Sequence, residues 1–161
     1  MNVLVAGVGN VLRGDDGVGV AVVERLEREG VPEGVRLFDV GIGGIHLVQE
    51  LQEPVDALIV VDAVDTQRPA GTVVTLRPDV RTPSGPDDLA DMHYADPDRA
   101  LMLAGALNRL PNVLWVVGVQ PEDAVRLGEG LSEPVAAAVP AAVHEVRRLI
   151  AELEAGVAFP P

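Results

Sequence analysis

The residues able to do chemistry in this chain are few and widely spaced: the doublet Asp15-Asp16, then Asp39, Asp62, His93 and Gln120. Asp16, Asp62 and His93 together form a mixed oxygen and nitrogen donor set suited to nickel, zinc, iron or manganese, and donor type alone does not choose among these. Three protein ligands would leave coordination positions open for another molecule to complete. Each residue also has a plainer reading. Asp16 can serve as an acid at a helix N-terminus, satisfying free N–H groups and the dipole, and that role suffices for Asp15. Asp62 can cap a turn at the end of a strand, and a histidine in a loop can simply face solvent. Spacing alone leaves the two readings open. His46 and His144 are read as partly solvated helix side chains.

Other chemistries are excluded by what is missing. Cysteine is absent, so there is no thiol nucleophile, thiolate zinc site or disulfide framework. All twelve basic residues are arginine, which rules out lysine-based nucleophilic mechanisms. Ser84 and Ser132 sit in no nucleophile elbow, Asp65-Thr66-Gln67 is not an aspartic-protease triplet, and His144-Glu145 lacks the second histidine of a zincin. The turn Gly7-Val8-Gly9-Asn10-Val11-Leu12 carries two glycines of a dinucleotide fingerprint, with Leu12 where the third belongs. Asp15-Asp16 would then face the pyrophosphate, so a nucleotide-binding α/β domain is the weaker alternative.

The elements that must position these residues follow from hydrophobic periodicity. Val3 to Ala6 reads as a buried strand, followed by the glycine turn, the acidic loop and a helix from Gly17 to Glu29. Val35 to Val40 is a second strand, and Gly41 to Gly44 turns the chain into a helix from about Ile45 to Gln52. Ala57 to Val61 is a third strand that delivers Asp62, and Thr72 to Leu76 follows too soon for a helical crossover, so it should be a strand adjacent to the third, as an antiparallel edge would be. Arg77 to Asp98 has no period and reads as a long functional loop. A helix from Asp98 to about Leu110, a strand over Val113 to Val119 and a helix from Ser132 to Leu153 complete the chain, with Pro140 expected to kink the last helix or split off its first turn. The alternation implies one α/β domain over residues 1–161, a three-layer α/β/α sandwich on a mostly parallel, twisted five-stranded sheet. Ligands collect beyond the carboxyl ends of such strands, where the acids fall.

Formal net charge is −13, which argues against nucleic acid or an anionic membrane as partner. Hydrophobic residues make up 48%, enough for a packed core, yet no run reaches the roughly 18 apolar residues of a membrane span. With no signal-peptide pattern either, the expectation is a cytoplasmic protein, and a monomer.

Several stretches resemble the hydrogenase maturation proteases. They are Gly7-x-Gly9-Asn10-x-Leu12-x-x-Asp15-Asp16-Gly17-x-Gly19, the Asp39-x-Gly41 turn, Val61-Asp62-Ala63, the long-loop His93 and Gly118-x-Gln120-Pro121. The resemblance implies an endopeptidase that removes a C-terminal extension from the large-subunit precursor of a nickel–iron hydrogenase after nickel insertion. It also implies that Asp16, Asp62 and His93 contact the nickel, which belongs to the substrate, so no tightly bound cofactor is expected. Asp16 and Asp39 are the candidate catalytic acids, and Asp39, Gly41 and Gln120 the candidate substrate-binding residues. Aspartate stands at position 16 where members often have glutamate, so the site must draw in by one methylene. The alternative sharing these residues is a non-proteolytic nickel-binding chaperone or sensor.

Overall fold

A computed structural model describes residues 1–81 and 97–156. Five strands form one sheet: β1 (Val3–Val8), β2 (Val35–Gly41), β3 (Ala57–Ala63), β4 (Val73–Leu76) and β5 (Val113–Val119). Their order is β2-β1-β3-β5-β4, all parallel except β4, which runs antiparallel to β5 at the edge; β4 is thus the antiparallel edge but not the neighbour of β3 expected, because β5 inserts between them and pairs with both. Among the described residues the helices are α1 (Val18–Glu29), α2 (Gly44–Glu50), α3 (Pro97–Ala106) and α4 (Glu133–Glu154), and a 3-10 turn over Gly14–Gly17 leads into α1.

Alternation along the strands builds two cores. Val3, Val5, Ile59, Val61, Val117 and Val119 face α1 and α4. Leu4, Ala6, Val8, Leu58 and Val60 face the other way, against residues of α2 and α3. The central strands are apolar on both sides because both faces are covered. This is the three-layer α/β/α sandwich expected. The last helix runs unbroken from Glu133 to Glu154 with Pro140 inside it, so the first turn is not split off. Pro140 is exposed, and removing one N–H costs less than undocking Val135, Ala138, Ala142 and Val143, all buried in the core.

The connections that follow β1 and β3 run toward opposite edges of the sheet, and a switch point of this kind is where ligands collect in open α/β sheets. Among the described residues no helix is long and apolar enough to cross a membrane.

Candidate active site

Close backbone approach makes the site possible. A Cβ on Gly19, in the first turn of α1, would lie 2.2 Å from the Val61 carbonyl oxygen and 2.5 Å from that of Val8. One on Gly7 would meet the Gly19 oxygen at 2.5 Å. These two glycines therefore let α1 descend onto β1 and β3, and the Gly14–Gly17 turn packs against β3 as a result. Asp16 is thereby carried to the strand that bears Asp62.

The turn after β1 does not hold a phosphate. Gly9 sits at φ +129°, and a Cβ there would lie 1.8 Å from the Asp16 carbonyl oxygen. The Asn10 N–H donates to Asp16 Oδ2 at 2.7 Å. The anion accepted by this glycine loop is the chain's own carboxylate, and the space a pyrophosphate would need is filled by the folded-back loop. Among the described residues Asp16 Oδ1 accepts no hydrogen bond, and the side chain is half-buried. Asp16 is thus oriented through one oxygen with the other left over.

Asp15 points the opposite way and is 1% exposed. Its carboxylate accepts from the N–H groups of Glu122 (2.8 Å), Asp123 (3.0 Å) and Ser132 (2.7 Å), and from the Ser132 hydroxyl (2.8 Å). Burial alone would raise its pKa, but the donors from Asp123, Ser132 and Glu122 together hold the carboxyl below its ordinary value. It does not serve its own helix as expected; it ties the segment after β5, and the start of α4, to the loop after β1.

Asp62 is half-buried near the end of β3, and the Ala63 N–H donates to its Oδ1 at 2.8 Å. It lines a cavity of about 550 Å³ together with Asp65, Arg77, Asp79, Leu101 and Met102. The Arg77 guanidinium lies over the Trp115 ring, 4.5 Å from its centroid, beside this cavity. Arg81 and Pro97, which bracket residues 82–96, both line it as well. His93 lies outside the described residues. Among the described residues no three His, Asp or Glu side chains converge as a metal site.

Gln120 is 7% exposed, and its side chain is engaged within the protein. Its Oε1 accepts from the Thr66 N–H (2.7 Å), the Thr66 hydroxyl (3.0 Å) and the Arg68 N–H (3.4 Å), while Nε2 donates to Asp65 Oδ1 at 3.1 Å. The Gln67 N–H and the Gln120 amide both donate to Asp65 and hold its pKa below the usual carboxylate range. Gln120 therefore shapes the turn that follows Asp62. Asp39 is exposed at the end of β2, where its Oδ1 accepts from the Gly41 N–H at 2.8 Å. Gly41 has φ +57°, and its carbonyl accepts from the Gly9 N–H at 3.0 Å, setting the Asp39 turn beside the Asp16 loop. His46 and His144 are exposed, on α2 and α4.

The hydrogenase maturation protease family model matches residues 20–149. The chain belongs to that family. Among other members, it is 40% identical over 152 residues to the hydrogenase expression/formation protein HoxM of Azotobacter vinelandii, covering 94% of this chain and 73% of the relative. The hydrogenase 2 maturation protease of Escherichia coli K12 is 35% identical over 162 residues, covering 98% of this chain and 94% of the relative. Among solved structures, the hydrogenase maturating endopeptidase HybD from E. coli superposes with a TM-score of 0.74 at 30% identity, covering 97% of this chain and 94% of that one. Sequence reasoning about this family member missed two things: the reach of Asp15 across the molecule, and the close packing of Gly7 on Gly19 and of Gly19 on Val8 and Val61. The glycines were visible as a motif, but the partner of Asp15 lies 117 residues away and left no local signal.

Proposed function

We propose that this chain is an endopeptidase that trims the C-terminal extension of a nickel–iron hydrogenase large-subunit precursor once nickel is in place. The observation that carries the reading is the packing of the Asp16 turn against β3, the strand that bears Asp62, so that the two acids stand on contacting elements. Asp16, Asp62 and His93 complete the coordination of the substrate's nickel, and His93 is supported by Arg81 and Pro97 flanking the cavity that contains Asp62. Nickel is then a token of completed assembly carried by the substrate, not a resident cofactor. Holding it fixes the scissile peptide, and the metal supplies Lewis-acid polarisation. A carboxylate bound to a metal is a poor base, so proton removal falls to Asp39, exposed on the adjacent turn. Asp39 and Gly41 also border the path of the substrate tail, whereas Gln120 acts through the turn it holds.

The test uses purified precursor with and without nickel, read by mass spectrometry. Shortening of the nickel-loaded form alone is expected. Equal shortening of both forms removes the nickel requirement, and shortening of neither favours a binding module over a protease.

A further inference from the structure

Of the nine large hydrophobics exposed among the described residues, five sit in the three loops that follow β1, β2 and β5, namely Val11, Leu12, Ile42, Val125 and Leu127, and a sixth, Ile45, stands in the first turn of α2. Val125 and Leu127 are the most exposed of all, at 77% and 82%. Water-facing apolar side chains on a loose loop would need no explanation, but this loop is fastened at several points. The Asp15 carboxylate takes its N–H groups at Glu122 and Asp123 and again at Ser132. In the middle, the Gly14 N–H donates to the Gly128 carbonyl and the Gly128 N–H to the Leu12 carbonyl, at 3.0 and 2.9 Å. Leu12 and Leu127 are thereby held on adjoining backbone. Beside them Val11, Val20, Ala21 and Leu131 line a small hollow of about 130 Å³, room for one aliphatic side chain. Its rim is acidic, with Glu24 at the hollow and Glu122, Asp123 and Glu129 in the loop against Arg13 and Arg126.

We infer that Leu12, Val125 and Leu127, with the hollow beside Val11, form a preformed docking surface for the protein substrate. The inference rests on the endopeptidase reading for the partner's identity. The occupant is a folded polypeptide that presents an aliphatic side chain among basic residues, opposite in sign to this acidic rim. It is the substrate and not a distant partner because Val11 stacks on Gly17, one residue from Asp16: a Cβ on Gly17 would lie 2.9 Å from the Val11 Cα. Docking here therefore sets the substrate's body against the same loop that presents the reactive acid. An apolar loop already tied by these hydrogen bonds needs little ordering on binding, which is what a recognition surface outside the reacting centre requires.

The experiment compares wild type with the double variant Val125→Ser/Leu127→Ser and the conservative Val125→Ile/Leu127→Met, using purified nickel-loaded large-subunit precursor. Precursor binding and cleavage are measured separately, at low and high sodium chloride. The serine variant is expected to bind roughly tenfold or more weakly and to raise KM in step, with kcat within about twofold and the conservative variant unchanged. Binding should also weaken with salt. Equal binding and KM for serine variant and wild type overturns the docking surface and leaves the endopeptidase reading intact. Precursor bound through Val125 and Leu127 but never shortened overturns the endopeptidase reading and leaves the surface. A self-association equilibrium that the serine variant abolishes, seen by sedimentation, assigns the patch to a second copy of this chain and also overturns the proposal.

Discussion

Asp15 and Asp16 are neighbours of identical chemistry with opposite work. Asp15 is buried and fully supplied with donors, while Asp16 spends one oxygen on the Asn10 N–H and keeps the other. Substituting them should separate stability from activity. Asp15→Asn replaces one acceptor oxygen with an NH₂ facing N–H groups, so the variant should lose about 2–4 kcal/mol of stability in urea unfolding. The same contact sets an acid limit. Because the folded pKa of Asp15 is depressed, its contribution is complete above the unfolded value near pH ~4 and is lost as pH falls through the lower folded value. Unfolding midpoints followed downward from about pH 5 should therefore drop more steeply for wild type than for Asp15→Asn. Asp16→Asn keeps the size and the Oδ acceptor for Asn10, so its stability should change by less than about 1 kcal/mol while precursor cleavage is abolished; retained cleavage would remove Asp16 from the site. Composition and position marked both residues as candidates at once. What distinguished them was a contact spanning more than a hundred residues, and such contacts leave no periodic trace in a chain.

At the scale of elements, the strands were legible because a strand covered on both faces must be a near-continuous apolar run, as Val3 to Ala6 and Ala57 to Val61 are. The short connection before Val73–Leu76 gave away the antiparallel edge for an equally physical reason, since a parallel crossover needs more chain. Helix-on-strand distance was not legible, because it depends on which glycine faces which carbonyl. This makes glycines in helices unequal. Gly19→Ala gains about 1 kcal/mol in helix propensity, yet its Cβ would press within 2.2 Å of the Val61 oxygen, backbone that cannot yield. The clash wins, and a net loss of about 2 kcal/mol is expected, together with slower cleavage as the Asp16 turn is pushed from β3. Gly105→Ala in α3 meets the tip of Leu110 at 3.3 Å and Val80 Cγ1 at an ordinary 3.6 Å. A flexible side chain can give that much, so this variant should be near neutral. Thermal unfolding of the pair checks the contrast, and equal losses would show that the Gly19 contact relaxes easily.

For the molecule as a whole, alternation of strands and helices gave the three layers, but strand order had to come from the structure, and with it the pairing of the Asp16 turn with β3. His93 belongs to a stretch whose composition lacks any period, and it lies outside the described residues. Charge acts on every element together. The formal net charge of −13 leaves a large acidic surplus after the arginines are paired. Among the described residues those pairs are partly solvated: Arg25 with Glu29, Arg36 with Glu50, Arg147 with Glu29, and Arg148 with Glu145 and Glu152. Exposed pairs of this kind contribute about 0–1 kcal/mol each, and salt weakens them. Salt also screens the repulsion among the unpaired acids, over a length of about 10 Å at 0.1 M. The two effects oppose, and the surplus decides the sign, because 25 Asp and Glu face 12 arginines, so the repulsion sums over more carboxylates than the arginines can pair. The urea midpoint should therefore rise when sodium chloride goes from about 10 to about 300 mM. Chloride is the right anion for the comparison, since sulfate would strengthen apolar burial and give the same sign for another reason. A falling midpoint would mean that the arginine pairs, not the acidic surplus, dominate the electrostatics of the folded chain.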